Sequence, residues 1–172
     1  MARSLLDIRI GTMVRCNTID TASYVRQILP LGFESIQPFF WQTLGQVDIR
    51  RLAGELQEAI ADTGAVIGAL GIFGNPLEDG ELDRATQAGW EVLIDNAHLF
   101  GTDIVAGFTG RLRGRPLPDS LPRFKEVWMR LGRRAQDRGV RIAFENCAMN
   151  GNWAQGDWNI ACLLYTSDAA DE

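Results

Sequence analysis

A glutamate that directly follows a short apolar run is the first residue whose type and position could do chemistry. In the segment RIAFENC, Glu145 comes at the end of the run and Asn146 follows it. A carboxylate is not stable inside an apolar core unless a charged group meets it there. At the end of a strand it suits either a ligand for a hard cation or a general base. The competing interpretation is a structural salt bridge with an arginine.

Aromatic and amide side chains follow the other apolar runs of the sequence. An aromatic wall with a few directed polar groups suits a small polyol ligand, although any one of these aromatics taken alone is more typical of ordinary packing. We expect contacts with such a ligand from the following residues: Gln37, Phe73, Phe108, Asn146 and Trp153.

The segment GRLRGRP carries three arginines, Arg111, Arg113 and Arg115. Guanidinium groups in one loop could hold a phosphate or a carboxylate, and a solvated loop explains the same pattern equally well. Under the first interpretation Arg111 is a further substrate-binding candidate.

The remaining reactive residue types form no catalytic set that we can identify. The sole histidine, His98, lies near the end of a predicted helix, where packing or an interaction with the helix dipole is the common role. Three cysteines make no disulfide framework, and we interpret Cys16 and Cys147 as packing residues. The sequence has no Cys-x-x-Cys motif and no P-loop.

A repeating unit of strand, helix and glycine must position these candidates. Five apolar runs predict strands: DIRIGTMV, FESIQPFF, AVIGALGIFG, TDIVAGFTG and VRIAFEN. The four segments between them have helical character, as the spacing of Leu52, Leu56 and Ile60 shows. Each segment ends at a glycine, at positions 32, 64, 101 and 139, and glycine readily adopts the left-handed backbone just past a helix end. Strands that alternate with helices in this way predict a parallel sheet.

Two parallel architectures fit this alternation, an open doubly wound sheet and a (β/α)8 TIM barrel. The open sheet usually binds a phosphate at a glycine-rich first turn, but the turn after the first strand, VRCNTIDT, has no Gly-x-Gly. Long polar and aromatic loops after the strands are typical of the active face of a barrel. Since a full barrel needs about 250 residues, we expect an α/β barrel truncated to about its first five βα units.

The composition limits the classes of function. With 46% apolar and 23% charged residues the chain can build a core, and its net charge of -5 argues against a dedicated nucleic-acid binder. No apolar run approaches the length of a membrane span, and the N-terminus lacks a signal-peptide pattern. We therefore expect a cytoplasmic protein that binds a small molecule rather than nucleic acid or a membrane; association into a homo-oligomer stays open.

The C-terminal segment CLLYTSDAADE, residues 162–172, continues no pattern upstream and resembles the translation of a transposase-type sequencing adapter. We predict that residues 1–161 are the N-terminal part of a single barrel domain and that residues 162–172 are not native. The natural protein would then be longer, and Cys162 would not belong to it.

Four segments together resemble the sugar phosphate isomerase/epimerase family, the xylose isomerase-like barrels. They are LGFESIQPFF, GIFGNPL, TDIVAGFTG and, most specifically, VRIAFENCAMNGNWAQGDWNIA, and the resemblance covers residues 8–161. It implies a (β/α)8 barrel that holds a divalent metal (Mn, Mg, Co or Zn) with carboxylates and a histidine from strands five to eight. Glu145 matches the first of those ligands, and the later ones would lie beyond Ala161. The family often has an acidic residue near the position of Gln37, so the sugar contact there departs from its pattern.

The chemistry that this resemblance implies is proton abstraction next to a carbonyl. The metal would bind the carbonyl and hydroxyl of an aldose or ketose and stabilise the enediolate, while carboxylates such as Glu145 move the proton. The substrate would be of the hydroxypyruvate, ketose or inosose type, as a sugar or sugar phosphate. This chain alone is expected to be inactive and to hold the metal only weakly.

Two other functions stay open for such a barrel. A non-catalytic sugar-binding barrel would share the fold and lack the later metal ligands. An abasic-site endonuclease would need several histidines near its metal and a DNA-binding face, whereas this chain has one histidine and an acidic balance.

Overall fold

The structure of the protein is a computed structural model that describes residues 8–17, 20–145 and 147 of the 172-residue chain. Within these residues, strands alternate with α-helices. The strands are β1 (Gly11–Arg15), β2 (Ser35–Trp41), β3 (Val66–Ile67), β4 (Leu70–Phe73), β5 (Ile104–Phe108) and β6 (Arg141–Glu145). The helices are α1 (Thr21–Ile28), α2 (Ile49–Ile60), α3 (Glu81–Asn96) and α4 (Leu121–Asp137). Short 3-10 helices adjoin three of them at Leu29–Leu31, Ala97–Phe100 and Leu117–Ser120.

All described strands pair in parallel in one sheet, in the order β1-β2-β4-β5-β6, with β3 beside the start of β2. The parallel order confirms the prediction, but the predicted third strand is divided into β3 and β4. The division lies beside Pro38 of β2, which has no N–H to give to the ladder. The carbonyl of Gly68 instead accepts a hydrogen bond from the Thr102 hydroxyl at 3.0 Å.

The two faces of the sheet have different environments. Ile36, Phe40 and Ile72 lie on one face and are at most 1% exposed. They pack with residues of all four helices in a single hydrophobic cluster. From α2 this cluster includes Leu52 and Leu56, part of the apolar stripe that the sequence predicts. The described helices therefore cover one face, as they do in a barrel, whereas a doubly wound sheet has helices on both faces.

The opposite face, which we call the inner face, carries the strand residues that alternate with the core residues. On a pleated strand, neighbouring side chains point to opposite faces, so the register of the strands identifies the members of this face. They include Met13 and Arg15 of β1, Gln37, Phe39 and Trp41 of β2, Gly71 and Phe73 of β4, Ala106 and Phe108 of β5, and Ala143 and Glu145 of β6.

The glycines that follow the helical segments behave as the sequence predicts. Gly32, Gly64, Gly101 and Gly139 have φ angles of 101°, 74°, 70° and 66°, all in the left-handed region. A side chain with a Cβ adopts this region at a cost, so glycine ends each helical segment before the next strand begins. Within the described residues, no helix is both long and apolar enough to cross a membrane.

Candidate functional site

The carboxyl ends of parallel strands meet at one edge of the sheet, which we call the rim, and in barrels this edge carries the active site. Glu145 is the last residue of β6 and is the register partner of Phe108, the last residue of β5. Its side chain is exposed. The described structure therefore places the predicted catalytic and metal-binding carboxylate on the inner face, beside a predicted substrate contact. Its chemical role stays a prediction.

An aromatic wall extends along the rim beside Glu145. The ring centroids of Phe73 and Phe108 are 5.0 Å apart, and Phe39 contacts Phe73 edge-on at 5.6 Å. Trp41 meets Phe108 edge-on at 6.4 Å and remains 46% exposed. Phe73 and Phe108 are 2% and 8% exposed, so they form the base of the wall, and Trp41 presents its indole to the solvent. The sequence predicts Phe73 and Phe108 as contacts, and in the structure Phe39 and Trp41 lie beside them.

Gln37 lies deeper on the inner face, two residues before Phe39. Its register partner on β1 is Met13. A Cβ added to Gly71 would stand 3.0 Å from Nε2 of Gln37 and 2.9 Å from Cβ of Phe39. Because Gly71 has no side chain, the Gln37 amide and the Phe39 side chain can both pack against this position at the base of the site.

Arg111, the predicted substrate contact in the arginine loop, is 3% exposed. One of its guanidinium nitrogens donates to the carbonyl of Arg115 at 2.8 Å. The backbone of Arg111 is held by Asn75, whose Nδ2 donates to the Arg111 carbonyl and whose Oδ1 accepts from the Arg111 N–H. The backbone of Arg111 thus joins the loop after β5 to the loop after β4. Substrate binding by the Arg111 side chain stays a prediction.

Arg113 forms ion pairs with carboxylates of the neighbouring loop and helix. Its two terminal nitrogens donate to the two oxygens of Asp83 at 3.0 and 2.7 Å. The guanidinium also contacts Glu78 at 3.1 Å. The hydrogen bonds with Asp83 raise the pKa of Arg113. The charge of Arg113 is therefore matched by Asp83 and Glu78.

Arg15 is a rim residue that the sequence analysis did not single out. It ends β1 on the inner face and is the register partner of Phe39. Its Nε donates to Oδ1 of Asn17 at 3.0 Å. The strand-end position of Arg15 follows from the sequence, whereas its contact with Asn17 and its pairing with Phe39 follow from the structure.

His98 and the cysteines are the residues that the sequence analysis interprets as structural. His98 is exposed in the 3-10 helix after α3, at the end of the helix that leads into β5 and thus opposite to the rim. Cys16 is 4% exposed, its thiol donates to the Val14 carbonyl, and burial raises the pKa of the thiol to about 12. Cys147 is partly buried. Asn146, Trp153 and the segment 162–172 lie outside the described residues.

The donor atoms of the described residues decide whether they could hold a metal ion by themselves. They contain no group of three or more histidine, cysteine, aspartate or glutamate side chains that could hold a metal ion. Hard divalent cations take about six oxygen ligands, and Glu145 supplies one carboxylate. The described residues alone therefore do not complete a metal site.

Comparison with known proteins identifies related sequences and folds. The sequence profile of the xylose isomerase-like TIM barrel family matches residues 25–169. No curated protein has a matching sequence. Among solved structures, a D-psicose 3-epimerase determined with D-fructose is similar, with a TM-score of 0.63 and 17% identity over 84% of this chain and 54% of that one.

Two further solved structures have the same fold. A xylose isomerase-like TIM barrel protein from Mycobacterium smegmatis, in complex with magnesium, has a TM-score of 0.59 and 21% identity over 81% of this chain and 55% of that one. The 3-keto-D-glucoside 4-epimerase YcjR from E. coli has a TM-score of 0.60 and 17% identity over 83% of this chain and 57% of that one. The chain thus spans about half the length of these proteins, and at these identities the likeness shows the fold.

Proposed function

This chain belongs to the xylose isomerase-like TIM barrel family, and on that premise we propose that it is part of a sugar isomerase or epimerase. The observation that carries the proposal is the position of Glu145, which ends β6 on the inner face beside Phe108. Two of the structurally similar proteins are sugar epimerases. The barrel fold serves many chemistries, so the argument depends on the site rather than on the fold.

The reaction that we propose begins with removal of a proton from the carbon next to a carbonyl. Glu145 accepts this proton, and the substrate becomes an enediolate. Return of this proton from Glu145 to the neighbouring carbon gives an isomer, whereas an epimer requires a second acid, from outside the described residues, that protonates the same carbon from the other side while Glu145 keeps the first proton. An exposed carboxylate at the mouth of a barrel can reach such a substrate. The aromatic wall provides an apolar surface for the C–H groups of a sugar of the ketose, hydroxypyruvate or inosose type.

A divalent cation, such as Mn, Mg, Co or Zn, is part of this proposal. When bound, it would polarise the carbonyl group and so acidify the neighbouring carbon. Glu145 would be one of its ligands, and the others would come from outside the described residues. The magnesium in the similar protein from Mycobacterium smegmatis supports this part of the proposal.

We further propose that residues 1–161 are the N-terminal part of the barrel domain and that residues 162–172 are a translated adapter. The proposal is supported by the four βα units and the fifth unit's strand in the described residues, and by the coverage of about half of the similar proteins. On this view the chain by itself lacks most of the metal ligands and is inactive.

The proposed function is tested on the longer protein encoded by the source gene, extended beyond Ala161. We expect this protein to exchange the proton next to the carbonyl of a ketose, tested as the neutral sugar and as its phosphate, with solvent D₂O, as followed by NMR. Glu145→Gln should reduce the exchange by about 10²- to 10⁴-fold, the usual contribution of a general acid or base. The matched control is Glu58→Gln on the outer helix α2, whose side chain is 78% exposed.

Sugar binding without proton exchange in the longer protein would instead favour a non-catalytic sugar-binding barrel. Equal exchange rates in the wild type and in Glu145→Gln would show that Glu145 does not move the proton.

A further inference from the structure

We propose that Arg15 binds an anionic group of the substrate, a carboxylate or a phosphate, so that the substrate is an anionic sugar derivative. This inference rests on the proposed function, because it assigns a ligand to the same rim. It concerns a residue of the first strand, at the far end of the described sheet from Glu145.

The strand register places Arg15 on the inner face. Its neighbour Val14 is 1% exposed and packs in the core beneath the helices, so the next side chain along the pleat points the other way. Arg15 pairs with Phe39, whose ring contacts Phe73. The guanidinium group therefore extends from the same surface as the aromatic wall, at the end of its strand.

Hydrogen bonds hold one side of the Arg15 guanidinium in place. Its Nε donates to Oδ1 of Asn17 at 3.0 Å. The Nδ2 of Asn17 donates to the carbonyls of Trp41 and Thr43, each at 3.3 Å. Asn17 thus links the end of β1 to the end of β2 and fixes the guanidinium through Nε. Among the described residues, no hydrogen bond involves its two terminal nitrogens, and a guanidinium can give two parallel hydrogen bonds to an oxyanion through them.

Two other arginines of the rim, Arg113 and Arg123, are paired with carboxylates, unlike Arg15. Arg113 is bound to Asp83 and Glu78. Arg123 contacts Asp79 at 3.0 Å and Glu126 at 2.8 Å. Arg115 lines a cleft that it shares with Glu78 and Asp79, and Arg111 is buried.

Arg15 forms no ion pair with a carboxylate of the part of the chain that the structure describes. The Arg15 side chain is exposed to solvent and has no carboxylate partner among the described residues, so it is accessible to an anionic group of a ligand.

The barrel geometry explains how one substrate could meet both Arg15 and Glu145. In an eight-stranded barrel the first and fifth units lie on opposite sides of the mouth. Arg15 ends the strand of the first unit and Glu145 ends the strand of the fifth. The aromatic wall lies between them on the intervening strands. A substrate with its reacting carbonyl beside Glu145 would therefore carry its anionic group at the other end of its carbon chain.

The experiment is an NMR titration of this chain, labelled with ¹⁵N, that follows the Nε–Hε signals of the arginines. The probes are inorganic phosphate, D-glycerate and neutral xylitol, added separately at constant ionic strength. The Arg15 signal is identified by its loss in Arg15→Gln. We expect phosphate or glycerate to shift this signal, while xylitol does not. Tighter binding of phosphate would indicate a phosphorylated sugar, and tighter binding of glycerate would indicate a sugar acid.

Variants then test whether binding of the anion depends on the Arg15 side chain. Arg15→Gln should weaken binding of the preferred anion by about tenfold or more, because a hydrogen bond to a charged group is lost. Arg15→Lys should bind more weakly than the wild type and more tightly than Arg15→Gln, since it keeps the charge and loses the planar fork. The matched control is Arg133→Gln, which removes an exposed arginine of the outer helix α4 and should leave binding unchanged.

The inference is wrong if neither anion shifts the Arg15 signal of the wild type, or if Arg15→Gln binds both anions as tightly as the wild type. An equal response of the signal to xylitol would also contradict it. Proton exchange on a neutral ketose can succeed while anion binding fails, so the failure of this inference is distinguishable from the failure of the proposed function.

Discussion

Asn75 and Arg111 form a reciprocal pair of hydrogen bonds between the loops that follow β4 and β5. The Nδ2 of Asn75 donates to the Arg111 carbonyl at 2.7 Å, and the Arg111 N–H donates back to Oδ1 of Asn75 at 3.1 Å. The same Oδ1 also accepts from the N–H of Leu77 at 3.2 Å. The side-chain amide thus donates to and accepts from the backbone of Arg111, as a paired strand would. These bonds continue the connection between β4 and β5 beyond the sheet. Since Asn75 is 4% exposed, water cannot readily replace these bonds.

Replacing Asn75 by aspartate should destabilise the protein although the side chain keeps its size. The carboxylate cannot donate to the Arg111 carbonyl, and it adds a charge to a buried position. We expect the free energy of unfolding in urea to fall by about 1–3 kcal/mol, the cost of leaving a buried polar group unsatisfied. The control Asn96→Asp removes a single bond, from Nδ2 to the Val92 carbonyl at a less buried site, and should cost less. Equal losses in the two variants would show that the link between the loops contributes little.

Gly110 should tolerate no side chain. Its φ angle is +84°, and an added Cβ would stand 2.6 Å from Oδ1 of Asn75 and 2.8 Å from Cγ of Leu77. Gly114 in the same loop has a similar φ of +68° but nothing within 4 Å of an added Cβ. Gly110→Ala therefore combines backbone strain with a close contact, whereas Gly114→Ala has the strain alone. We expect Gly110→Ala to lower the free energy of unfolding by about 1–3 kcal/mol more than Gly114→Ala does. Similar urea midpoints for both variants would contradict the close contact.

Acid should weaken the ion pairs between α3 and α4. The hydrogen bonds from Arg134, at 3.1 and 2.6 Å, lower the pKa of Asp95 below its ordinary value of 3.8. Because the folded pKa is lower than the unfolded one, the pair contributes stability above about pH 4, and this contribution is lost as the pH falls through the folded pKa. Asp95→Asn should therefore lose less stability than the wild type between pH 6 and pH 2.5. Urea midpoints across this range measure the difference, with the exposed Asp137→Asn as control; parallel curves for Asp95→Asn and the wild type would refute the assignment.

The open edges of the sheet should make the chain associate. Among the described strands, β1 pairs only with β2 and β6 only with β5, and unpaired edges favour pairing with other chains. We expect sedimentation velocity to show association that increases with concentration. Met13→Lys places a charge on the edge strand β1, where Met13 is 42% exposed, and should reduce the association. Met129→Lys on α4, at a position 56% exposed, should not. A monodisperse wild-type monomer with a sharp cooperative melt would contradict this prediction.

The sequence predicts the order and direction of the strands because local signals encode them. Glycines that follow helical segments and apolar runs of strand length are short-range features, and Gly64 and Gly139 adopt the predicted left-handed backbone. The division of the third strand escapes prediction because it depends on Pro38 in a neighbouring strand.

The candidate site is predictable only in part for the same reason. The apolar run before Glu145 indicates a strand end, so its place on the rim follows from the sequence. The partners of Arg113 do not, because Asp83 lies 30 residues away and meets it only in the fold. The position of Arg15 at the end of the first predicted strand follows from the sequence, but its place beside the aromatic wall depends on the register of β1 with β2.

Manganese binding should depend on Glu145 and on the rest of the barrel. In this chain, Glu145 is an exposed carboxylate on the rim, and no described group of three or more ligand side chains surrounds it. A hard cation takes about six oxygen ligands, so calorimetry should show weak manganese binding to this chain and tight binding to the protein extended beyond Ala161. Glu145→Gln should remove the tight binding, since a neutral amide replaces a charged ligand, while Glu58→Gln on α2 should retain it. If the extended wild type and Glu145→Gln bind manganese equally well, Glu145 is a structural acid and the proposed metal ligand lies elsewhere.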